Sequence, residues 1–111
     1  MNPDDRAGAV FAALADPTRR QVLSIVGARG PVSATELAAD LPVSRQAIVK
    51  HLDALRGAGL VDAARAGRAV HFALTPAALD DAASWMAAVG QRWDARLDAL
   101  RERAAHVTPK A

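Results

Sequence analysis

The chain has no cysteine among its 111 residues. Disulfides, thiolate metal sites and cysteine nucleophiles are therefore excluded together. Aromatics are scarce: two Trp and two Phe must supply the bulk of a core otherwise rich in Ala, which buries little area per residue. No apolar run reaches the roughly 18 residues that a membrane-spanning helix needs. The N-terminus, M-N-P-D-D-R, is polar and acidic, unlike a secretory signal. There is no glycine-rich phosphate loop, no internal repeat and no low-complexity linker. No Ser-His-Asp or paired-carboxylate arrangement can be argued from the spacing. These absences leave, by default, a soluble cytoplasmic protein that is not an enzyme. Its length fits one domain, or one domain with a long appended helix.

What is present is unevenly charged. The net charge is +2, yet residues 19 to 71 carry eight Arg or Lys against four Asp or Glu. The remainder is net acidic. Basicity gathered on one segment suits a polyanion, although an ordinary Arg-rich surface gives the same count.

The punctuation is clear. Residues 4–14 are predicted to form a first helix with Val10, Phe11 and Leu14 as its apolar stripe. In A-D-P-T-R-R, Asp16 suits an N-cap and Pro17 the first helical position, where its missing N–H costs nothing. The second helix extends to about Arg29 with Val22, Leu23, Ile25 and Val26 inside, and Gly30 with Pro31 stops it. Val32 to Ala34 fit a short strand, and Ser33 and Glu36 have capping-box spacing. A short helix over T-E-L-A-A-D-L turns Leu37, Ala38 and Leu41 inward, after which Pro42 and Val43 turn the chain.

Residues 44–60, S-R-Q-A-I-V-K-H-L-D-A-L-R-G-A-G-L, are the most informative stretch. Ser44 can cap a helix ending near Ala58. Ile48, Leu52 and Leu55 share one face; Arg45, Gln46, Val49 and Lys50 share another. A helix with one apolar face and a donor-rich N-terminal half can pack on a domain while probing a major groove. Gly59 is placed for a left-handed cap, with Leu60 returning onto Leu55 as a Schellman motif prefers. With the preceding short helix this makes a helix-turn-helix.

About six residues of β pattern, R-A-G-R and A-V-H-F-A-L-T follow, with Val70, Phe72 and Leu74 at strand period. Gly67 is placed for the positive φ of a tight hairpin. A hairpin directly after a reading helix is a wing, and Arg65 and Arg68 flank its tip.

Thr75 and Pro76 open a last helix to about residue 104. Leu79, Ala83, Met86, Gly90, Trp93, Leu97, Leu100 and Ala104 form a 4-3-4 seam along some seven turns. Such a seam exceeds what a domain of roughly 75 residues can cover. The expected partner is the same seam in a second copy, with Val10, Phe11 and Leu14 alongside and Trp85 and Val89 widening the contact. Gly90 in mid-helix costs about 1 kcal/mol relative to Ala, which suits two backbones approaching closely. The alternative is a helix folded back on a monomer. The predicted fold is mainly α with a small β-hairpin: a winged helix-turn-helix with a long C-terminal dimerisation helix. One domain covers 1–111, with dimerisation helices at 1–15 and 76–104, a DNA-binding core and wing at 16–75, and a frayed tail at 105–111.

These elements, in this order, resemble the arsenic-repressor (ArsR-type) winged helix-turn-helix regulators. The resemblance covers nearly the whole chain. It is most specific in F-A-A-L-A-D-P-T-R-R-Q-V-L at 11–23 and T-E-L-A-A-D-L-P-V-S-R-Q-A-I-V-K-H-L-D-A-L-R-G-A-G-L-V at 35–61. R-W-D-A-R-L-D-A-L at 92–100 resembles a branch lacking metal-binding cysteines. The resemblance implies a homodimeric repressor binding double-stranded DNA at imperfect palindromes near its own promoter. Many members release DNA when a metal or another signal binds.

On that reading Ser44 and the first N–H groups of its helix hold a phosphate. Arg45 addresses guanine and Gln46 adenine. Val49 meets a thymine methyl, where the family often has a hydroxyl residue. Lys50 serves a phosphate or a base. Arg65 and Arg68 clamp the flanking backbone or enter the minor groove, Thr35 adds a phosphate contact, and His71, on the outer face of a wing strand, touches the backbone.

No metal or other cofactor is expected. The cysteine pair of metal-sensing members corresponds here to E-L-A-A-D-L, where Ala38 and Ala39 offer no ligand. The last helix carries Asp80, Asp81, Asp94, Asp98 and Glu102 but only His106, and carboxylates alone suit Zn²⁺ or Ni²⁺ poorly. Asp94 and Asp98, with Arg96 and Arg101 nearby, read as surface ion pairs. His51 reads as a half-buried packing group. Two rival readings stay open: a winged helix used as a protein-interaction module, and a repressor gated by a small ligand in a pocket lined by Phe11, Trp85 and Trp93. In the second, the bland account of those aromatics is dimer core.

Overall fold

The computed structural model describes residues 3–106. The elements are α1 (Pro3–Ala13), α2 (Pro17–Arg29), β1 (Val32–Ser33), α3 (Ala34–Asp40), α4 (Arg45–Gly57), β2 (Val61–Ala66), β3 (Ala69–Leu74) and α5 (Pro76–His106). The helix-turn-helix is α3–α4, and the wing is β2–β3.

One short segment closes α1 and opens α2. The Asp16 carboxylate accepts the Arg19 backbone N–H at 3.0 Å and caps α2, with Pro17 at the helix start. The Arg19 side chain turns back and donates to the Ala13 carbonyl at 3.2 Å, while Arg20 donates to the Leu14 carbonyl. Carbonyls left without helical partners at the end of α1 are thus satisfied by the first turn of α2.

Both arms of the capping box form at α3: Ser33 Oγ accepts the Glu36 N–H at 3.2 Å, and Glu36 Oε1 accepts the Ser33 N–H at 3.1 Å. Ser44 Oγ accepts the Ala47 N–H at 3.1 Å to start α4. That helix ends as a Schellman motif: Gly59 donates to the Arg56 carbonyl at 3.0 Å and Leu60 to the Leu55 carbonyl at 2.9 Å. Gly59 takes φ +77°, so any side chain there is strained, by about 1–2 kcal/mol.

The hairpin is part of a larger sheet than expected. β1 pairs with the free edge of β3, Val32 opposite Phe72 and Ser33 opposite His71, giving the antiparallel order β1-β3-β2. The two wing strands run in register from Val61–Leu74 to Ala66–Ala69, closed by Gly67, φ +64°, and Arg68.

The core gathers Val10, Val22, Val26, Val32, Leu37, Ile48, Leu52, Leu55 and Leu60, all essentially solvent-free. Ala13 from α1 and Ala78 and Ala82 from α5 belong to the same cluster. This corrects one expectation. Val10, assigned to the dimer contact, is 1% exposed inside its own chain. Its face of α1 is needed to seal the core, and Leu14 and Leu79 also pack partly against it. The outer helices are therefore not separate from the DNA-binding unit: their inner faces complete it.

α5 has 31 residues, about 46 Å of helix, and extends past the expected end through His106. It stretches the molecule to 76 × 31 × 20 Å. The remainder of the expected tail, 107–111, lies outside the described residues. Among the described residues, no helix is long and apolar enough to cross a membrane.

Candidate nucleic-acid interface

The amphipathic reading of α4 holds at every assigned position but Val49. Ile48, Leu52 and Leu55 are solvent-free, whereas Arg45, Gln46 and Lys50 are exposed. Val49 lies between, partly buried against the core. His51 is half-buried as expected, with a buried Nδ1 that has no protein partner.

A cleft of about 430 Å³ separates the start of α4 from the wing. Ser33, Ala34 and Thr35 form one wall, Arg45 and Val49 the second, and Arg68, Ala69, Val70 and Phe72 the third. The fold thus brings together Thr35, Arg45, Val49 and Arg68, which lie up to 33 positions apart in the sequence. Arg65 stands directly opposite Val70 in the ladder, so it points to the cleft side of the sheet. Gln46 and Lys50 continue the exposed face of α4 beyond the cleft. Ser44 sits at the helix start with its hydroxyl engaged by Ala47.

His71 lies on the outer face of its strand, as its alternation predicted. Strand alternation puts it on the opposite sheet face from Val70 and Phe72, among Pro31, Ala64 and Ala73. Its Nε2 lies 3.7 Å from Glu36 Oε1 and its Nδ1 is buried without a protein partner. It faces away from the cleft that joins α4 to the wing. Val70, noted in the sequence only for its strand period, is exposed and lines the cleft as well. Its pairing with Arg65, close to the hairpin tip and past the reach of the core, was the available signal.

The basic surplus is also redistributed. Arg19 and Arg20 serve as caps, and Arg29 pairs with Asp40. Arg45, Lys50, Arg56, Arg65 and Arg68 are exposed and, among the described residues, have no carbonyl or carboxylate partner. Two carboxyls are held below their ordinary values. Asp16 is lowered chiefly by the Arg19 backbone N–H. Glu36 is lowered chiefly by hydrogen bonds from Ser33.

Phe11 of α1 and Trp85, Met86, Val89, Trp93 and Leu100 of α5 are large apolar side chains left in water, along with Val70. The rings of Phe11 and Trp85 pack on each other, and Trp93 stands apart with Val89, Arg92 and Arg96. A Cβ at Gly90 would meet nothing in its own chain. Asp98 pairs with Arg101 at 3.6 Å on the helix surface, as its spacing suggested.

A helix with a buried apolar face and an exposed donor-rich face, set beside a basic wing, defines a winged helix-turn-helix DNA-binding regulator. A helix-turn-helix domain family matches residues 14–63. The transcriptional repressor SdpR of Bacillus subtilis is 32% identical over 77 residues, 69% of this chain and 84% of that protein. The transcriptional regulator CmtR of Mycobacterium bovis is 39% identical over 93 residues, 84% of this chain and 78% of its own length. An ArsR-like transcriptional regulator from Rhodococcus sp. RHA1 superposes with a TM-score of 0.81 at 43% identity, covering 90% of this chain and 93% of its own. The chain belongs to the ArsR family of winged helix-turn-helix transcriptional regulators, and it is a DNA-binding regulator of transcription.

Proposed function

We propose that the protein is a homodimeric repressor that binds an imperfect palindrome, acting by occupancy of DNA rather than by catalysis. The observation that carries this reading is the cleft that joins Arg45 and Val49 of α4 to Arg68 of the wing. The start of α4 enters the major groove, with Arg45 and Gln46 at base edges and Val49 offering an apolar contact to a thymine methyl. The first N–H groups of α4 and Lys50 hold the backbone, and Arg65 and Arg68 hold the flanking strand. A two-fold pairing of α5 sets two such helices about 34 Å apart, one turn of DNA. The exposed Met86, Trp93 and Leu100 support that pairing.

The test is selection of duplexes from a randomised pool by the purified protein, followed by sedimentation. A palindromic consensus bound by two chains is expected. Recovery of unrelated sequences at equal affinity, or sedimentation as single chains at micromolar concentration, overturns the proposal.

A further inference from the structure

Thr35 and Arg45 lie in the first turns of α3 and α4, ten residues apart in sequence, and the Arg45 Nε donates to the Thr35 hydroxyl at 3.2 Å. Both residues are exposed. A long exposed side chain is here tethered at a defined point, and the tether has a rigid base. The capping box fixes the turn that holds Thr35, and Ala34 and Leu37 on either side are buried.

The atom engaged is decisive. A guanidinium carries five N–H donors, one on Nε and two on each Nη. It can meet guanine side-on, through Nε and one Nη, or end-on, through both Nη groups. Thr35 occupies Nε and removes the side-on mode. No carboxylate pairs with Arg45 among the described residues, so both Nη groups keep their donors for a ligand. Tethering before binding also reduces the rotamer freedom lost when the contact forms.

We propose that Thr35 is a specificity-determining positioning residue: its hydroxyl fixes the Arg45 guanidinium end-on, so that the two Nη groups address O6 and N7 of one guanine. This replaces the expectation of Thr35 as an independent phosphate contact, and it rests on α4 being the DNA-reading helix. A phosphate contact affects every sequence alike, whereas a positioning residue affects one base pair.

The test uses the full chain and a duplex selected by the wild-type protein from a randomised pool, with a panel in which each base pair is changed singly. Affinities are read by fluorescence anisotropy, and circular dichroism confirms the fold of each variant. Arg45→Ala is expected to abolish discrimination at one position. Thr35→Val is expected to reduce discrimination at that same position by about fivefold or more and to leave the others unchanged. Thr35→Ser, which restores the hydroxyl, returns it to within about twofold. Thr35→Ala, free of the β-branched bulk, behaves as Thr35→Val. In the double variant the loss at that position is no greater than with Arg45→Ala alone. Uniform weakening of the whole panel by Thr35→Val, or no loss with Thr35→Val while Arg45→Ala does abolish discrimination at one position, overturns the positioning role alone. A wild-type protein that discriminates nowhere on the panel overturns the reading role of α4 and this proposal with it.

Discussion

Phe11 meets Trp85 edge to face, ring centroids 5.5 Å apart at an interplanar angle of 65°. The pair marks the boundary between two uses of one helix. On its domain side, Ala78 and Ala82 are sealed into the core. Beyond it, Met86, Trp93 and Leu100 are 51%, 57% and 53% exposed. The apolar face continues where its own chain no longer covers it, which is what the proposed pairing with a second copy requires.

On the proposed pairing, Trp93→Glu and Leu100→Glu are expected to leave the single chain folded and to abolish its association with a second copy. Both side chains lie in water within the chain, but each charge would be stranded in an apolar interface. Sedimentation at micromolar concentration is expected to fall from the mass of two chains to that of one. DNA affinity is expected to drop by about 100-fold or more, because the second half-site is no longer delivered at high effective concentration. Variants that sediment with the wild type place the contact elsewhere.

Val10→Ala should act through the core instead. Removing two methyl groups from a sealed site costs about 2 kcal/mol and lowers the urea midpoint. The folded fraction should pair as the wild type does. A folded but unpaired Val10→Ala protein would return Val10 to the interface.

Most of the fold was legible because its signals are local. Asp16-Pro17, Ser33 with Glu36, Ser44 and Gly59 each fix a helix end through bonds within a few residues, and each forms where its spacing placed it. What sequence could not resolve depends on contacts between distant segments. β1 joins β3 across 40 residues. Val10 and Phe11 are adjacent and equally apolar, and only the packed helices decide which is sealed and which faces out. Arg19 and Arg20 counted as free positive charge until their carbonyl partners were seen. His71 and Val70 share a strand, so the single step of alternation that moves one to the cleft moves the other away from it.

Acid should loosen the frame that holds Thr35. Glu36 is depressed below its ordinary 4.5, and Asp16 below its ordinary 3.8. A carboxyl with a depressed folded-state value binds its proton more readily in the unfolded chain. Its contribution is complete above the unfolded value and is lost as pH falls through the folded one. The melting temperature is therefore expected to hold down to about pH 5 and to decline below it. Glu36→Gln keeps an acceptor for the Ser33 N–H but removes the titration, so its decline should be shallower. Equal slopes for variant and wild type between pH 5 and pH 3 would show that Glu36 takes no part.

Arg68 should behave unlike Arg45. It closes the wing turn, on the far wall of the cleft from α4, and the proposed docking sets it against DNA backbone rather than a base edge. Contact with a phosphate displaces a counterion, so each lost contact lowers the salt dependence of binding by about one unit of log–log slope. Arg68→Ala is expected to weaken binding to cognate and scrambled duplexes by a similar factor and to flatten that slope by about 0.9 per half-site. Arg45→Ala should instead narrow the gap between cognate and scrambled DNA. Anisotropy titrations from 50 to 200 mM salt, run with both duplexes, separate the two behaviours. A loss confined to the cognate duplex for Arg68→Ala would move that side chain from the backbone to a base edge in the minor groove.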